Sequence, residues 1–323
     1  KVWILAVFLL ITAIRVWTAF IADPGAPAAR SGVLDLSGWD LERDGPVSLA
    51  GEWMFDPYGF TPPGQAADGG VPVKVPGKWD EALRSEDGGT FGYGTYRLRI
   101  LLSEADAGRQ KLGLRVMNVR SAHRIFADGE EIGAGGEPGR DRPSTQPYNT
   151  PYAAELTVSG NELALTVHAA NFHYGRQGGI FETFRLGTLR GIVQEELQAK
   201  MIEQLLGLLA LALSIVFAAF YVLRRQNPEL IWFGGFFFAY FLFEASHGEK
   251  LLFVWLPQLS YDWQTRIQFL SSVSIYLTML YFTRYMFPRY SSRRLVRIGT
   301  AGAALLALLC LAAPVYVFTS AEI

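Results

Sequence analysis

The chain has 323 residues, of which half are apolar, and its 29 basic and 30 acidic side chains leave a net charge of −1. Between Arg30 and Lys200 there are 23 acidic and 18 basic residues. This balance argues against a nucleic-acid partner, because such a partner requires a basic face. The single cysteine, Cys310, excludes an intrachain disulfide, so any exported domain depends on its own core.

The first 22 residues predict a signal sequence or an N-terminal anchor helix. Lys1 precedes the apolar run Val2–Ile14, and after Arg15 the apolar run continues as Val16–Ala22. Both interpretations export the chain that follows. Residues 23–33 are rich in Ala, Pro and Gly, and they predict a linker.

Residues 34–190 carry the pattern of an all-β domain. Apolar residues alternate along Thr95–Leu101 and Lys111–Val119, as they do in strands with one buried face. Ala122–Ala127 is followed by Asp128 and Gly129, a hairpin turn signal. Several short strands separated by Gly and Pro predict a β-sandwich of jelly-roll type.

The remaining residues predict a coupling helix at 191–203 and an all-α transmembrane bundle at 204–323. Four apolar segments approach the length of about 20 residues that a helix needs to cross the hydrocarbon core of a membrane. A soluble helical bundle would instead show polar faces at helical spacing, which these segments lack. The predicted membrane helices cover about 204–223, 229–247, 264–287 and 297–319.

The loop charges predict the orientation of these helices. Arg224 and Arg225 follow the first membrane segment, and five arginines lie between Arg284 and Arg297. The positive-inside rule places both loops in the cytoplasm, so residues 30–200 are expected outside.

Parts of the chain resemble known families. Gly94–Arg97, Ala122–Gly133 and Gly160–Leu165 resemble the sugar-binding jelly roll of family 2 glycoside hydrolases. Pro46–Trp53 and Asn171–Ile180, followed by several membrane helices, resemble the bacterial seven-transmembrane receptors with diverse intracellular signalling modules. In that family a galactose-binding-like jelly roll precedes seven helices and a cytoplasmic output domain. Since four helices follow the jelly roll here, we expect a chain truncated after the fourth bundle helix.

The resemblance implies a multi-pass receptor of the bacterial cytoplasmic (inner) membrane. Its exported jelly roll would bind a small ligand such as a carbohydrate, its helices would contact membrane lipid, and it would form a homodimer. The output domain would be a histidine kinase, as in a two-component system, a nucleotide cyclase or a protein phosphatase. The alternative is a transporter or membrane enzyme with an exported accessory carbohydrate-binding-like domain, although the apolar segments lack the midplane polar groups typical of transporters.

The predicted ligand-binding residues combine rings that can stack on a sugar with polar groups that can read hydroxyls or carboxylates. They are Trp79, Tyr93, Asn171, His173, Tyr174 and Arg176. Two alternatives stay open: the aromatic residues belong to the core, and the Asn171–Ile180 loop docks on the membrane helices.

Two ionisable residues, Glu244 and His247, lie at the outer end of the second apolar segment, either as a functional pair or at the membrane interface. No catalytic motif, metal site or cofactor site is predicted in this chain.

Overall fold

The computed structural model describes residues 26–64, 69–83, 89–109 and 111–320. The predicted signal sequence or anchor at 1–22 and residues 23–25 of the predicted linker lie outside these ranges. Within the rest of that linker, the Ala29 amide donates a hydrogen bond to the Ala50 carbonyl at 2.8 Å, and Ala29 is buried. The packed β domain therefore begins several residues before residue 34.

The described part of the β domain consists of short strands with two single-turn helices between them. The strands are β1 (Val33–Asp35), β2 (Val47–Ser48), β3 (Gly51–Pro57), β4 (Val71–Val75), β5 (Gly92–Leu101), β6 (Lys111–Val116), β7 (Val119–Arg120), β8 (Ala122–Ala127), β9 (Glu130–Glu137), β10 (Gln146–Pro147), β11 (Tyr152–Thr157), β12 (Glu162–Asn171), β13 (Gly179–Ile180) and β14 (Arg185–Thr188). The helices are α1 (Asp80–Leu83) and α2 (Glu104–Ala107).

These strands form two main sheets. The larger has the order β10-β9-β8-β12-β5-β3-β4, with β1 parallel to β5, and the smaller has the order β11-β6-β14-β2. Apolar side chains from both sheets share one core, in which the Trp53 ring meets Tyr96 at 6.5 Å and Phe184 at 5.9 Å. The predicted all-β sandwich is confirmed, because both sheets bury an apolar face against each other.

The predicted hairpin is present between β8 and β9. Asp128 and Gly129 both have positive φ angles, 49° and 92°, as a two-residue turn between twisted antiparallel strands requires. The Asp128 carboxylate also accepts the Ala164 amide at 2.7 Å, which ties the turn to β12.

The C-terminal region is helical. Its helices are α3 (Leu189–Leu223), α4 (Glu229–Ser246), α5 (Leu251–Trp255), α6 (Tyr261–Met286), α7 (Arg293–Ala312) and α8 (Val315–Phe318). Helix α4 packs between α3 and α6, and α7 packs on α6. Phe233 of α4 links its two neighbours, with ring centroids 4.7 Å from Phe217 and 4.7 Å from Phe282.

Within the described ranges, three helices are long and apolar enough to cross a membrane: α3, α4 and α7. The remaining long helix, α6, has 26 residues and carries charged residues near both ends. The first three predicted membrane segments fall on α3, α4 and α6, one long helix each. The predicted segment 297–319 is interrupted before Pro314, because proline lacks the amide hydrogen that would continue α7.

Helix α3 is continuous through the expected boundary between a coupling helix and the first membrane segment. It begins at Leu189, where the Thr188 hydroxyl caps it by accepting the Gly191 amide at 3.2 Å. Leu189–Glu203 contains five charged residues, whereas Gln204–Leu223 contains none. Gln204–Leu223 is therefore the part of α3 whose composition suits a membrane span, and the charged part, Leu189–Glu203, packs near the β domain.

Candidate functional site

The β domain and the helices meet along a packed contact region, which we call the junction. It comprises β6, the Asn171–Ile180 loop, Leu189–Glu203 of α3, residues 247–250 and α8. Gly113 of β6 permits the approach of α3, because a Cβ at this position would lie 2.8 Å from the Cβ of Ile192 and 3.0 Å from the Cα of Leu189. A side chain here would force α3 away from the sheet.

A buried ion pair lies at the centre of the junction. Arg115 of β6 donates to the Glu249 carboxylate, with side chains 2% and 4% exposed. A second carboxylate, on Glu196 of α3, lies 3.5 Å from the same guanidinium and 2.6 Å from the Lys200 ammonium. The Glu249 amide in turn donates to the Glu203 carboxylate at 2.9 Å. These contacts join one strand, one helix and one interhelical loop by charge.

A second charged contact fixes the same loop. Lys250 is buried, and its ammonium donates to the Asn149 backbone carbonyl at 2.6 Å and to the Asn149 side-chain oxygen. The backbone of Lys250 is left-handed, with φ 53°, so the loop turns sharply after α4. Burial, and then the nearby Arg120 guanidinium, lower the pKa of Lys250. The loop therefore attaches to the β domain at two neighbouring residues, through Arg115 and Asn149.

The Glu203 carboxylate gives the junction a dependence on pH. Its pKa is raised from 4.5 to about 7, mainly by burial and also by the Glu249 and Glu244 carboxylates, against the lowering effect of the Glu249 backbone amide and Arg115. Because the folded state then holds this proton more tightly than the unfolded chain, the contribution of Glu203 to stability is greatest below about pH 4.5 and falls as pH rises to about 7.

We expect Glu203→Gln to remove this component of the pH dependence while keeping an acceptor for the Glu249 amide. The measurement is the thermal stability of the detergent-purified chain from about pH 4.5 to about pH 8, for the wild type and the variant. An identical slope in both proteins would contradict the assignment. Glu155→Gln, at an exposed residue of β11, serves as the control for loss of a carboxylate.

The Asn171–Ile180 loop is held by its first residue. The Asn171 side-chain NH2 group donates to the backbone carbonyls of Tyr174 at 2.8 Å and Thr90 at 3.1 Å. Its side-chain oxygen accepts the backbone N–H of Tyr174 at 3.1 Å. Asn171 is fully buried and is occupied in shaping the loop.

The same loop docks on the end of the helical region. The Gly175 amide donates to the Thr319 hydroxyl at 2.8 Å. Arg142, which donates to the Phe172 carbonyl at 2.9 Å, places its guanidinium carbon 3.6 Å from the centre of the Tyr316 ring of α8. The loop thus connects the β domain to the chain that follows α7.

Gly175 is the position where this docking is closest. A Cβ on it would overlap the Tyr316 carbonyl oxygen and the Ser320 hydroxyl. Gly175→Ala is therefore expected to separate the loop from α8 and to cost about 1–3 kcal/mol, the usual effect of overpacking. Hydrogen exchange of the Gly175 amide should accelerate.

Gly160→Ala is the matched control, because a Cβ on Gly160 would have no heavy atom within 4 Å. Neither glycine has a positive φ angle, so the comparison isolates the steric effect. Equal exchange and stability in the two variants would contradict a close contact between the loop and α8.

Between the loop and the helices lies a cavity of about 340 Å³, which we call the junction cavity. Arg120, Tyr174 and Arg176 line it from the β domain, and His247 and Lys250 line it from the helical region. The Arg120 guanidinium carbon lies 4.1 Å above the centre of the Tyr174 ring. Three residues that the sequence singled out, Tyr174, Arg176 and His247, therefore share one cavity.

The other predicted site residues lie elsewhere. Trp79 is fully buried in the core of the sandwich, and Tyr93 packs against Phe60 at 5.0 Å. His173 is half-buried, and burial lowers its pKa. Glu244 lies on α4, close enough to Glu203 to influence its titration. Ligand binding by these residues stays a prediction.

Sequence reasoning missed Arg115, Arg120 and Asn149 as functional candidates. Arg115 belongs to an alternating strand and occupies the face opposite Leu114, where an arginine normally faces solvent. Helix α3 covers that face, which local sequence does not reveal. Among the described residues, no group of three His, Cys, Asp or Glu side chains could hold a metal ion.

Comparisons with known proteins give two findings. Residues 201–323 match the family described as 7TM diverse intracellular signalling. No curated protein matches the chain.

Solved structures similar to this chain include three glycosidases. They are a Faecalibacterium prausnitzii β-glucuronidase (17% identity, TM-score 0.34, 44% of this chain and 31% of that one), a GH2 β-galacturonidase from Eisenbergiella tayi bound to galacturonate (18%, 0.32, 44% and 24%) and a β-glucuronidase from Ruminococcus gnavus in complex with D-glucuronic acid (15%, 0.33, 44% and 29%). The matched part of this chain spans about a quarter to a third of each of these structures.

Proposed function

We propose that this protein is a membrane sensor receptor, which the match of residues 201–323 to the 7TM diverse intracellular signalling family supports, and that it receives and passes on its signal as follows. The β domain binds a small molecule, with carbohydrate as the favoured class. Binding moves the β domain relative to the helices at the junction. The helices carry that movement to a cytoplasmic output domain of the kinase, cyclase or phosphatase type.

The observation that carries this proposal is the number of independent connections between the two parts. Helix α3 continues directly from β14, the Glu249–Lys250 loop is bound by Arg115 and Asn149, and the Asn171–Ile180 loop docks on α8. These contacts reach three separate places in the helical bundle. A shift of the β domain therefore changes the positions of several helix ends together, as a transmembrane switch requires.

The arrangement of the helix ends supports the proposed topology. The β domain contacts the start of α3, the loop after α4 and the segment after α7. The arginine-rich loops follow α3 and α6, at the other ends of these helices. We therefore place the β domain outside the bacterial inner membrane and these loops in the cytoplasm, since arginine is enriched in cytoplasmic loops.

We also propose that the receptor works as a homodimer surrounded by membrane lipid. Many large apolar side chains of α3 are exposed in the monomer, including Leu205, Leu208, Ile215 and Val222, which suits contact with lipid or with a second copy. Chemical crosslinking in native membranes tests this state, and recovery of monomer alone would contradict it.

The central experiment is hydrogen exchange on the whole chain in nanodiscs, with a panel of neutral hexoses and hexuronic acids. A ligand of the β domain should raise the thermal stability in a saturable manner. It should also alter exchange in Leu189–Glu203 and in residues 247–250. A ligand that binds while exchange changes only within the β domain would contradict signal transfer through the junction. Accumulation of labelled ligand inside proteoliposomes would instead indicate a transporter.

A further inference from the structure

The junction cavity carries a charge pattern that the receptor function alone does not explain. Three basic side chains line it, Arg120, Arg176 and Lys250, against one carboxylate, Glu182. Glu182 is exposed and accepts a long hydrogen bond of 3.4 Å from the Asn118 side chain. Lys250 is already bound to Asn149. Without counting Lys250, the guanidinium groups of Arg120 and Arg176 still line the cavity with a single exposed carboxylate, that of Glu182.

The two arginines retain unused hydrogen-bond donors. The Nε of Arg120 is buried and has no hydrogen-bond partner among the described residues. Arg176 is exposed, and it forms no ion pair with any residue that the structure describes. An anion in the cavity would meet the positive charge of both guanidinium groups, which the single exposed carboxylate of Glu182 does not balance. Guanidinium groups are suited to planar or tetrahedral oxyanions, to which they can donate two parallel hydrogen bonds.

We propose that the junction cavity binds an oxyanion, a carboxylate or phosphate group, held between Arg120 and Arg176 of the β domain and the loop that follows α4. This inference rests on the proposed receptor function and names the ligand chemistry at its junction. The cavity volume of about 340 Å³ accommodates a group of this size. Because its walls come from both parts of the protein, occupancy draws the Asn171–Ile180 loop toward α4 and α6.

The oxyanion can come from two sources, which present the same kind of anionic oxygen group to the arginines. One source is a free anion in the extracytoplasmic solution. The other is the phosphate of an anionic lipid headgroup, which no choline cation neutralises, since the cavity lies at the end of the helices α4 and α6. The experiment has one arm for each source.

In the first arm, the thermal stability of the whole chain is measured in an uncharged detergent as chloride is replaced by inorganic phosphate at constant ionic strength. A saturable rise is expected. Arg120→Gln and Arg176→Gln should each weaken the apparent affinity for phosphate by roughly tenfold or more. Arg176 is exposed, so its variant is expected to fold even if the Arg120 variant does not.

Arg99→Gln is the matched control, because Arg99 is a half-exposed arginine of β5 that pairs with Glu162 at 3.5 Å, outside the cavity. Its phosphate response should equal that of the wild type. A phosphate effect that is the same in all variants, or that never saturates, would contradict binding of free phosphate in the junction cavity.

In the second arm, the chain is placed in nanodiscs of phosphatidylcholine alone or of phosphatidylcholine mixed with phosphatidylglycerol. Stabilisation by phosphatidylglycerol that disappears in Arg176→Gln identifies the lipid as the source. Stabilisation by free phosphate only identifies a soluble anion. A protein that responds to neither overturns the oxyanion site.

Failure of this site and failure of the receptor function give different results. A neutral hexose that alters exchange in Leu189–Glu203 equally in the wild type and in Arg176→Gln, with no response to phosphate, would preserve the receptor and overturn the oxyanion site. An oxyanion that binds through both arginines without changing exchange in Leu189–Glu203 would preserve the site and overturn signal transfer.

Discussion

Replacing Arg115 with Met is expected to destabilise the protein by about 3–5 kcal/mol, the usual cost of removing one partner of a buried ion pair. The Glu249 carboxylate would remain buried, with its side chain 4% exposed and its amide bound to the Glu203 carboxylate. Glu249 and Glu196 would then lose the cation that they share. Exchange in Leu189–Glu203 should rise, because the strand that anchors α3 would lose its charged contact.

The control for this variant lies on the same strand. Lys111 and Arg115 both belong to β6, and Lys111 pairs with Glu155. The side chains of Lys111 and Glu155 are 60% and 46% exposed, so Lys111→Met is expected to cost less than about 1 kcal/mol. Denaturant unfolding of the detergent-purified chain measures both. Equal effects would contradict a special role for the Arg115–Glu249 pair.

A double variant separates the effect of losing the ion pair from the destabilisation caused by the Glu249 carboxylate that stays buried without a partner. Arg115→Met combined with Glu249→Leu should recover much of the lost stability, because replacing both partners of a buried pair by apolar side chains is often close to neutral. Signal transfer should nevertheless remain impaired, since Glu249 is the loop's charged link to β6. Full recovery of ligand-induced exchange in α3 would show that this pair contributes stability alone.

Replacing Trp79 with Ala is expected to destabilise the protein by about 3–5 kcal/mol through the cavity left in the core. The Trp79 ring lies 5.6 Å from Phe55 and 6.2 Å from Tyr96, with its plane 11° from that of Tyr96. It is fully buried, and its indole N–H points to the Thr90 carbonyl at 3.4 Å. No face of the ring is open to a ligand, so we expect a loss of stability without a separate loss of ligand specificity.

Trp39 provides the comparison for this variant within the same domain. It is only partly buried against the core, and its indole donates to the Gly45 carbonyl at 3.0 Å. Trp39→Ala should therefore cost clearly less than Trp79→Ala in thermal unfolding. If Trp79→Ala kept its stability but lost the response to a sugar, the predicted stacking role of Trp79 would be supported instead.

The large-scale architecture follows from local patterns. Alternation along β5 and β6 identifies strands with a buried face, and the Asp128–Gly129 turn identifies the β8–β9 hairpin, because both depend on neighbouring residues alone. The apolar run Gln204–Leu223 identifies a membrane helix for the same reason. The predicted position of a helix end was less accurate where a proline interrupts the apolar run, as at Pro314.

The order of the parts, a β-sandwich and then apolar helices, can be read from the sequence, since period and hydrophobicity are properties of short segments. How the parts meet depends on tertiary packing. Arg115 and Glu249 are 134 residues apart, and Lys250 lies 101 residues from Asn149. No local pattern selects such partners, because they lie on elements that meet only in the folded chain. The junction and its cavity are therefore products of packing between two separately encoded parts.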